Sequence, residues 1–413
     1  MLATVAGLAV VLVYLVLWSE ISPRLIGRSD FTNTYVGATL VREGDGASMY
    51  APALQAPLHA RLIAPDREGN LPYDAAPLAA VVAAPLTLLG LDTAYRIWSL
   101  LQFLLIAIAA AIAVRAAPTE VHLRRDQGLA VGLVALACLG TGSTLLLGQW
   151  DGVSALGLAL FYACLRGGRM GTAGAILAVT SLLAKPHLAL GLAAFVLGWR
   201  ERRLLVGMLA GGVATVGASL LAVGPAGVAG FLGSLGSQVN AWPLARMVSL
   251  IGIAGALFGQ TLAAHLLAAA GSVVAILVAG LLGMAVRKRP YRLEAALAGA
   301  TVLSLLASPH TGWDDLALLV PAAAWSLTTL VARGAGAGSL TAAVAGIWLA
   351  ISLAGYLDLA TGAAAPLGLL TPWMLIAAAV LAIGVCRRQQ AGTERPASPL
   401  LLRDVRALSG GAG

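Results

Sequence analysis

Apolar runs long enough to cross a bilayer recur along nearly the whole of this chain, and they constrain its fold more than any motif does. Leu2 to Trp18 carries no charge, and comparable stretches centre near residues 104, 213, 274 and 347. In hydrocarbon every backbone N–H and C=O must be bonded within the protein, so such runs fold as helices or closed barrels. Runs of roughly 17–25 apolar residues are the helical kind. Hydrophobic residues make up 59% of the 413 and charged residues 11%, against about 25% charged in soluble domains. That composition excludes a water-soluble enzyme. The 49 glycines suit helices that approach closely in lipid. The net charge of +8 would fit nucleic acid if the basic residues shared one face. They lie at helix ends instead, so no nucleic-acid partner is expected. Cys138, Cys164 and Cys386 are far apart, sit in or beside apolar runs, and form neither a metal nor a disulfide spacing.

Charge sets the expected topology. The basic segments are Arg115 to Arg125, Arg166 with Arg169, Arg200 to Arg203, Arg287 to Arg292, Arg333, and Arg387-Arg388. Most neighbouring pairs are separated by two apolar helices, so all can face one side, which the positive-inside rule makes cytoplasmic. The intervening segments hold most of the acids, among them Glu20, Asp30, Glu43, Asp45, Asp66, Glu68, Asp74, Asp151, Asp314, Asp315 and Asp358. The expectation is an all-α polytopic bundle of about twelve spans, with both termini cytoplasmic. One integral membrane domain covers residues 1–386, and a poorly ordered cytoplasmic tail follows at 387–413. Leu2 to Trp18 lacks a basic flank and a small-residue cleavage site, so it reads as a retained first helix. Residues 19–76 form a long first extracytoplasmic loop. Two apolar stretches, Pro77 to Leu91 and Met247 to Gln260, are short, and counting them as crossings would invert the charge pattern. They read as interfacial or re-entrant helices. The helices near 178 and 193 are also short and meet at Ala184-Lys185-Pro186-His187, a polar break of the kind that lines cavities.

Four polar clusters fall on the same expected side. They are the loop 19–76 with Asp30, Tyr35, Tyr50 and Pro72-Tyr73-Asp74; Gly148-Gln149-Trp150-Asp151; Lys185-Pro186-His187; and Ser308-Pro309-His310-Thr311-Gly312-Trp313-Asp314-Asp315. Charged groups at membrane depth face a bundle interior or a wet cavity. Together the clusters suit a sugar joined to a phosphate. Lys and His neutralise phosphate oxygens, Trp stacks on a sugar face, and a carboxylate accepts a hydroxyl proton. Each element also has a plainer reading. Asp30 would cap a helix starting at Phe31, and Asp314 and Asp315 one starting near Leu316. Lys185 would snorkel to the interface, or pair with Asp151. His59, His122 and His265 carry no catalytic expectation.

The order of these motifs resembles a known family. Asp30-Phe31 with Tyr35, Gly46 to Tyr50, Pro72-Tyr73 through Pro77-Leu78, Ala84-Pro85-Leu86 and Trp98 are similar to the amino-terminal module of glycosyltransferase family 87, of the GT-C superfamily. Gly148-Gln149 with Asp151, Lys185-Pro186-His187 and Ser308-Pro309-His310 continue the resemblance, which covers roughly residues 25–330. Tyr73-Asp74-Ala75-Ala76-Pro77 departs from the commoner Tyr-Pro-Pro run.

The resemblance implies a GT-C-like bundle in the plasma membrane with its active site on the extracytoplasmic face. It also implies inverting transfer of a hexose, mannose favoured, from a polyprenyl-phosphate donor to a glycolipid or glycan. Asp30 would be the base, Lys185, His187 and His310 would meet the donor phosphate, and Tyr35, Tyr73, Gln149, Asp151 and Trp313 would contact substrate. No Asp-x-Asp pair follows the first helix, and neither a metal nor a cofactor is expected. The rival classes are a transporter or flippase of lipid-linked sugars, which would more often show an internal repeat, and a non-catalytic scaffold.

Overall fold

The computed structural model describes residues 2–65, 72–118, 123–237, 243–334, 338–361 and 368–388. The tail beyond 388, Asp66, Glu68 and His122 lie outside them. Among the described residues every regular element is helical. The amino-terminal third holds α1 (Leu2–Ser19), α2 (Pro23–Gly27), α3 (Asp30–Arg42), α4 (Pro52–Ile63), α5 (Pro77–Ala83) and α6 (Leu91–Ala116). The middle holds α7 (Arg125–Leu136), α8 (Leu139–Leu147), α9 (Asp151–Arg166), α10 (Met170–Leu183), α11 (Leu190–Trp199) and α12 (Arg202–Ser237). Then come α13 (Leu250–Phe258), α14 (Leu262–Lys288), α15 (Leu293–Ala307), α16 (Leu319–Ala332), α17 (Gly338–Thr361) and α18 (Thr371–Arg388).

Among the described residues six helical segments are long and apolar enough to cross a membrane, namely α1, α6, α12, α14, α17 and the stretch Asp314–Ala332 that ends in α16. A seventh is added if α7 and α8, bent by 61° at their junction, count as one broken span. At the other expected centres the helices are shorter: α9 has 16 residues, α10 14, α11 10 and α15 15. The stretch after Pro77 is a short helix continued by a 3₁₀ turn at Ala84–Leu88, and α13 has nine residues. Both are too short to cross alone.

The apolar residues divide between a packed interior and an outer surface that needs lipid. Trp325, Tyr162, Phe161 and Ile106 are fully buried where α6, α9 and α16 meet, and Phe195 is fully buried where α11 packs on α14. Leu12 and Val16 on α1, Leu209 and Val213 on α12, Leu277 and Leu281 on α14, and Leu349 and Leu357 on α17 are exposed. An apolar surface of that extent is stable in hydrocarbon and not in water. Close helix contacts use small residues, as the glycine content suggested. A Cβ on Gly174 of α10 would run into the backbone of Leu204 on α12, and one on Gly198 of α11 into the backbone of Gly280 on α14. Long α12 bends at Gly224, which takes φ 72° just before Pro225.

Candidate active site

The site begins at the first turn of α3. Ser29 is the extended residue before the helix, and its hydroxyl donates to the Ile26 carbonyl at 2.7 Å. Asp30 is therefore the first helical residue and not the cap expected from sequence, with a favourable place near the positive helix end. Phe31 beside it is fully buried against the rings of Tyr95 and Trp98.

The turn between α8 and α9 closes over that cluster. Gly148 ends α8 in the left-handed conformation, φ 66°, and its N–H donates to Thr144. A Cβ on it would lie 2.7 Å from the Phe31 Cβ. Trp98 donates to the Gly148 carbonyl at 2.9 Å and Tyr95 to that of Leu146 at 2.8 Å. The turn thereby presents Gln149, whose Nε2 donates to Asp30 Oδ2 at 2.7 Å. Burial, together with the charge of Asp314, pushes the Asp30 carboxyl up to about 6, although Gln149 and Lys185 act the other way.

A second group adjoins the first. Lys185 lies in the polar break between α10 and α11, and its Nζ donates to three carboxylates: Asp314 and Asp315 at 2.6 Å and Asp151 at 3.0 Å. Asp151 opens α9 and has no solvent exposure, while the Lys185 side chain retains 12%. Asp314 and Asp315 begin a 3₁₀ turn, Asp314–Leu318, that leads into α16. The second oxygen of Asp315 accepts the Gly312 N–H at 2.7 Å. Oxygens from the three acids lie within 4.8 Å of one another, a spacing that holds a cation, and the Lys185 ammonium fills that role. The pairing of Asp151 with Lys185 follows one of the plainer sequence readings. Asp314 and Asp315 do more than start a helix, and a lone lysine facing an acid pair in so apolar a chain was the available signal.

The segment around His187 is fixed from α15. Ser304 Oγ donates to the Leu188 carbonyl at 2.6 Å and accepts the Gly191 N–H at 2.9 Å. The His187 and His310 rings stand edge to face with centroids 6.4 Å apart. His187 Nε2 and Trp313 Nε1 are buried without a hydrogen-bond partner among the described residues. Asp74, part of the first polar cluster but given no role of its own in the sequence reading, joins them. Burial raises its carboxyl while the charges of His310 and Lys185 lower it. All four polar clusters of the sequence therefore converge on one region.

Two expected substrate residues have different contacts. The Tyr35 hydroxyl donates to the Leu89 carbonyl at 2.7 Å, and the Tyr73 hydroxyl to the Ala76 carbonyl at 2.6 Å. The Tyr73 ring lies directly under Gly37. Both hydroxyls donate to backbone, so these tyrosines help to pack the first loop.

The model of glycosyltransferase family 87 matches residues 76–309. The match takes in Gln149, Asp151, Lys185 and His187, ends one residue before His310, and starts after Asp30. Neither curated proteins nor solved structures yield a match. More than half of this apolar, helical chain lies within the family match, and the chain belongs to glycosyltransferase family 87.

Proposed function

We propose that the chain transfers a hexose, mannose in the first instance, from a polyprenyl-phosphate donor to a hydroxyl of a glycolipid or glycan. The observation that supports this reading is the contact between Asp30 and Gln149 beside the Lys185 cluster and the histidine pair. It sets a carboxylate of near-neutral pKa next to groups able to receive a phosphate. In the proposed step Asp30 takes the proton of the acceptor hydroxyl. The hydroxyl oxygen bonds to the anomeric carbon as the bond from that carbon to the phosphate oxygen breaks, inverting the centre. The electron pair leaves with polyprenyl phosphate, which needs no acid, so one carboxylate is enough, unlike the paired arrangement of glycosidases.

The roles of the other residues follow from charge. An ammonium shared by three carboxylates has little attraction left for a phosphate, so Lys185 acts in this reading as the organiser of Asp151, Asp314 and Asp315. His310, exposed, and His187, which burial keeps neutral and whose Nε2 has no hydrogen-bond partner among the described residues, meet the phosphate as hydrogen-bonding groups. Gln149 holds Asp30 in position, and Trp313 offers a face to the sugar. The charge bias supports a site on the extracytoplasmic side of the plasma membrane, in a bundle whose shorter helices bring the crossings toward twelve.

The test is transfer by the purified full chain in nanodiscs from polyprenyl-phosphate mannose, with donor binding measured in parallel. Asp30→Asn should lower transfer by about 10²-fold or more and leave donor binding in place. Transfer by the Asn variant at the parent rate rejects Asp30 as the base. Transfer from another sugar's donor, with none from mannose, rejects the sugar alone.

A further inference from the structure

A second polar feature lies at the far end of α6. Asp30 adjoins the N-terminal half of that helix, through Tyr95 and Trp98. Twenty-six residues of α-helix extend roughly 39 Å, so its C-terminal end lies on the opposite side of the molecule. There a cavity of about 640 Å³ opens between α6 and α7. Arg115 ends α6, and Arg124 and Arg125 begin α7; all three line the cavity and are exposed. The deeper wall is apolar, with Ala110 on α6 and Leu133 on α7. Among the described residues Asp126 is the acid beside these arginines, 3.4 Å from Arg124, and the described rim keeps a net positive charge.

Thr328 of α16 lines the cavity, is fully buried, and its hydroxyl has no hydrogen-bond partner among the described residues. A buried polar atom left unpaired costs free energy unless a ligand or water meets it. Arginines at a membrane boundary ordinarily need only solvent and snorkelling room. Here they surround a space in the size range of ligand sites, roughly 300–1,000 Å³. The space is cationic at its mouth, apolar along its wall, and ends at an orphaned hydroxyl. That sequence of surfaces matches an amphiphile with an anionic head.

We propose that this cavity binds an anionic phospholipid, its phosphate against Arg115, Arg124 and Arg125 and an acyl chain along the wall between α6 and α7. The site is separate from the transfer chemistry and does not depend on which sugar is moved. Basic pockets between membrane helices are a recognised setting for anionic headgroups.

The experiment is native mass spectrometry of the full chain titrated with phosphatidylglycerol or phosphatidylcholine. Four proteins are compared: the parent, Arg115→Gln/Arg124→Gln/Arg125→Gln, Gly132→Leu, and a control that removes charge elsewhere, Arg287→Gln/Lys288→Gln/Arg289→Gln. Gly132 lines the cavity on α7, and a Cβ there meets open space, so leucine fills the cavity without touching the arginines or crowding the helix. The parent should prefer phosphatidylglycerol, and the arginine variant should lose that preference by roughly tenfold to hundredfold. Gly132→Leu should also lose it with its charge intact, while the control keeps it. Equal loss in the control would mean diffuse attraction to a basic surface and would overturn the proposal. So would unchanged binding by Gly132→Leu, or displacement of the lipid by an equal concentration of inorganic phosphate.

Discussion

Asp30 carries a cost that its chemistry explains. Its carboxyl rises from the usual 3.8 to about 6. Between those values the unfolded chain has released its proton and the folded chain has not. Stability therefore falls as pH rises through that window and levels off above about 6. Asp30→Asn removes the buried charge and can keep the Gln149 contact, so at pH 7 it should melt no lower than the parent while transfer collapses. In the parent, transfer should rise with pH to half its plateau near pH 6; a profile flat from pH 5 to 8 would contradict this. Lys185 gives the opposite result. Lys185→Met leaves three carboxylates together without their cation, and removing one partner of a buried pair costs about 3–5 kcal/mol. Thermal melting in detergent should show a large drop, partly recovered by adding Asp151→Asn. A drop in transfer with no drop in melting temperature would instead return Lys185 to direct donor binding. The sequence conveyed the types of these residues but not their partners. Tyr35 and Tyr73 are expected at the substrate through the family resemblance, yet their hydroxyls reach backbone carbonyls that only the folded loop brings near. Asp314 and Asp315 read as helix starters because the lysine they hold is more than a hundred positions away.

The elements place these groups through their breaks. Gln149 reaches Asp30 because α8 stops at a left-handed glycine pressed against Phe31, and Lys185 is available because α10 and α11 are two short helices and not one long one. Gly148 and Gly168 both have positive φ, 66° and 72°, but only Gly148 has a close neighbour; a Cβ on Gly168 meets nothing. Left-handed backbone costs a non-glycine residue roughly 1–2 kcal/mol. Gly168→Ala should show that cost alone. Gly148→Ala should add a clash with Phe31, shift Gln149 from Asp30, and lower transfer several-fold more than it lowers thermal stability. Similar losses in the two variants, measured side by side, would remove the turn from the catalytic argument. The same breaks explain why apolar runs alone do not fix the number of crossings. A run is apolar whether it crosses the bilayer or turns back within it. The centres near 159, 178, 193 and 300 are apolar helices of 16, 14, 10 and 15 residues, below the length of a straight crossing. The sequence marked the break at Lys185 through its proline. The bend of 61° between α7 and α8 falls within an apolar stretch, which carries no such mark.

At the scale of the molecule, one organisation joins the two ends of α6. Asp30, the histidine pair and the caged lysine gather at one end, and Arg115, Arg124 and Arg125 at the other. In the proposed orientation, which follows the positive-inside rule, the arginines are cytoplasmic, and this makes a definite claim about two exposed positions. Asp45 follows α3 on the side of Asp30, and Arg202 starts α12 beside Arg200 and Arg203; both are exposed. The three native cysteines can be replaced by alanine and a single cysteine restored at either position. Asp45→Cys should then react with a membrane-impermeant thiol reagent in intact cells. Arg202→Cys should react only after the membrane is opened. Transfer measured on the same variants guards against misfolded chains, because neither position touches the site. The reverse labelling pattern, with transfer retained, would turn the molecule over. It would place Asp30 and its neighbours on the cytoplasmic side, where a soluble nucleotide-sugar is a chemically available donor, and the lipid-linked donor would lose the topological argument that supports it.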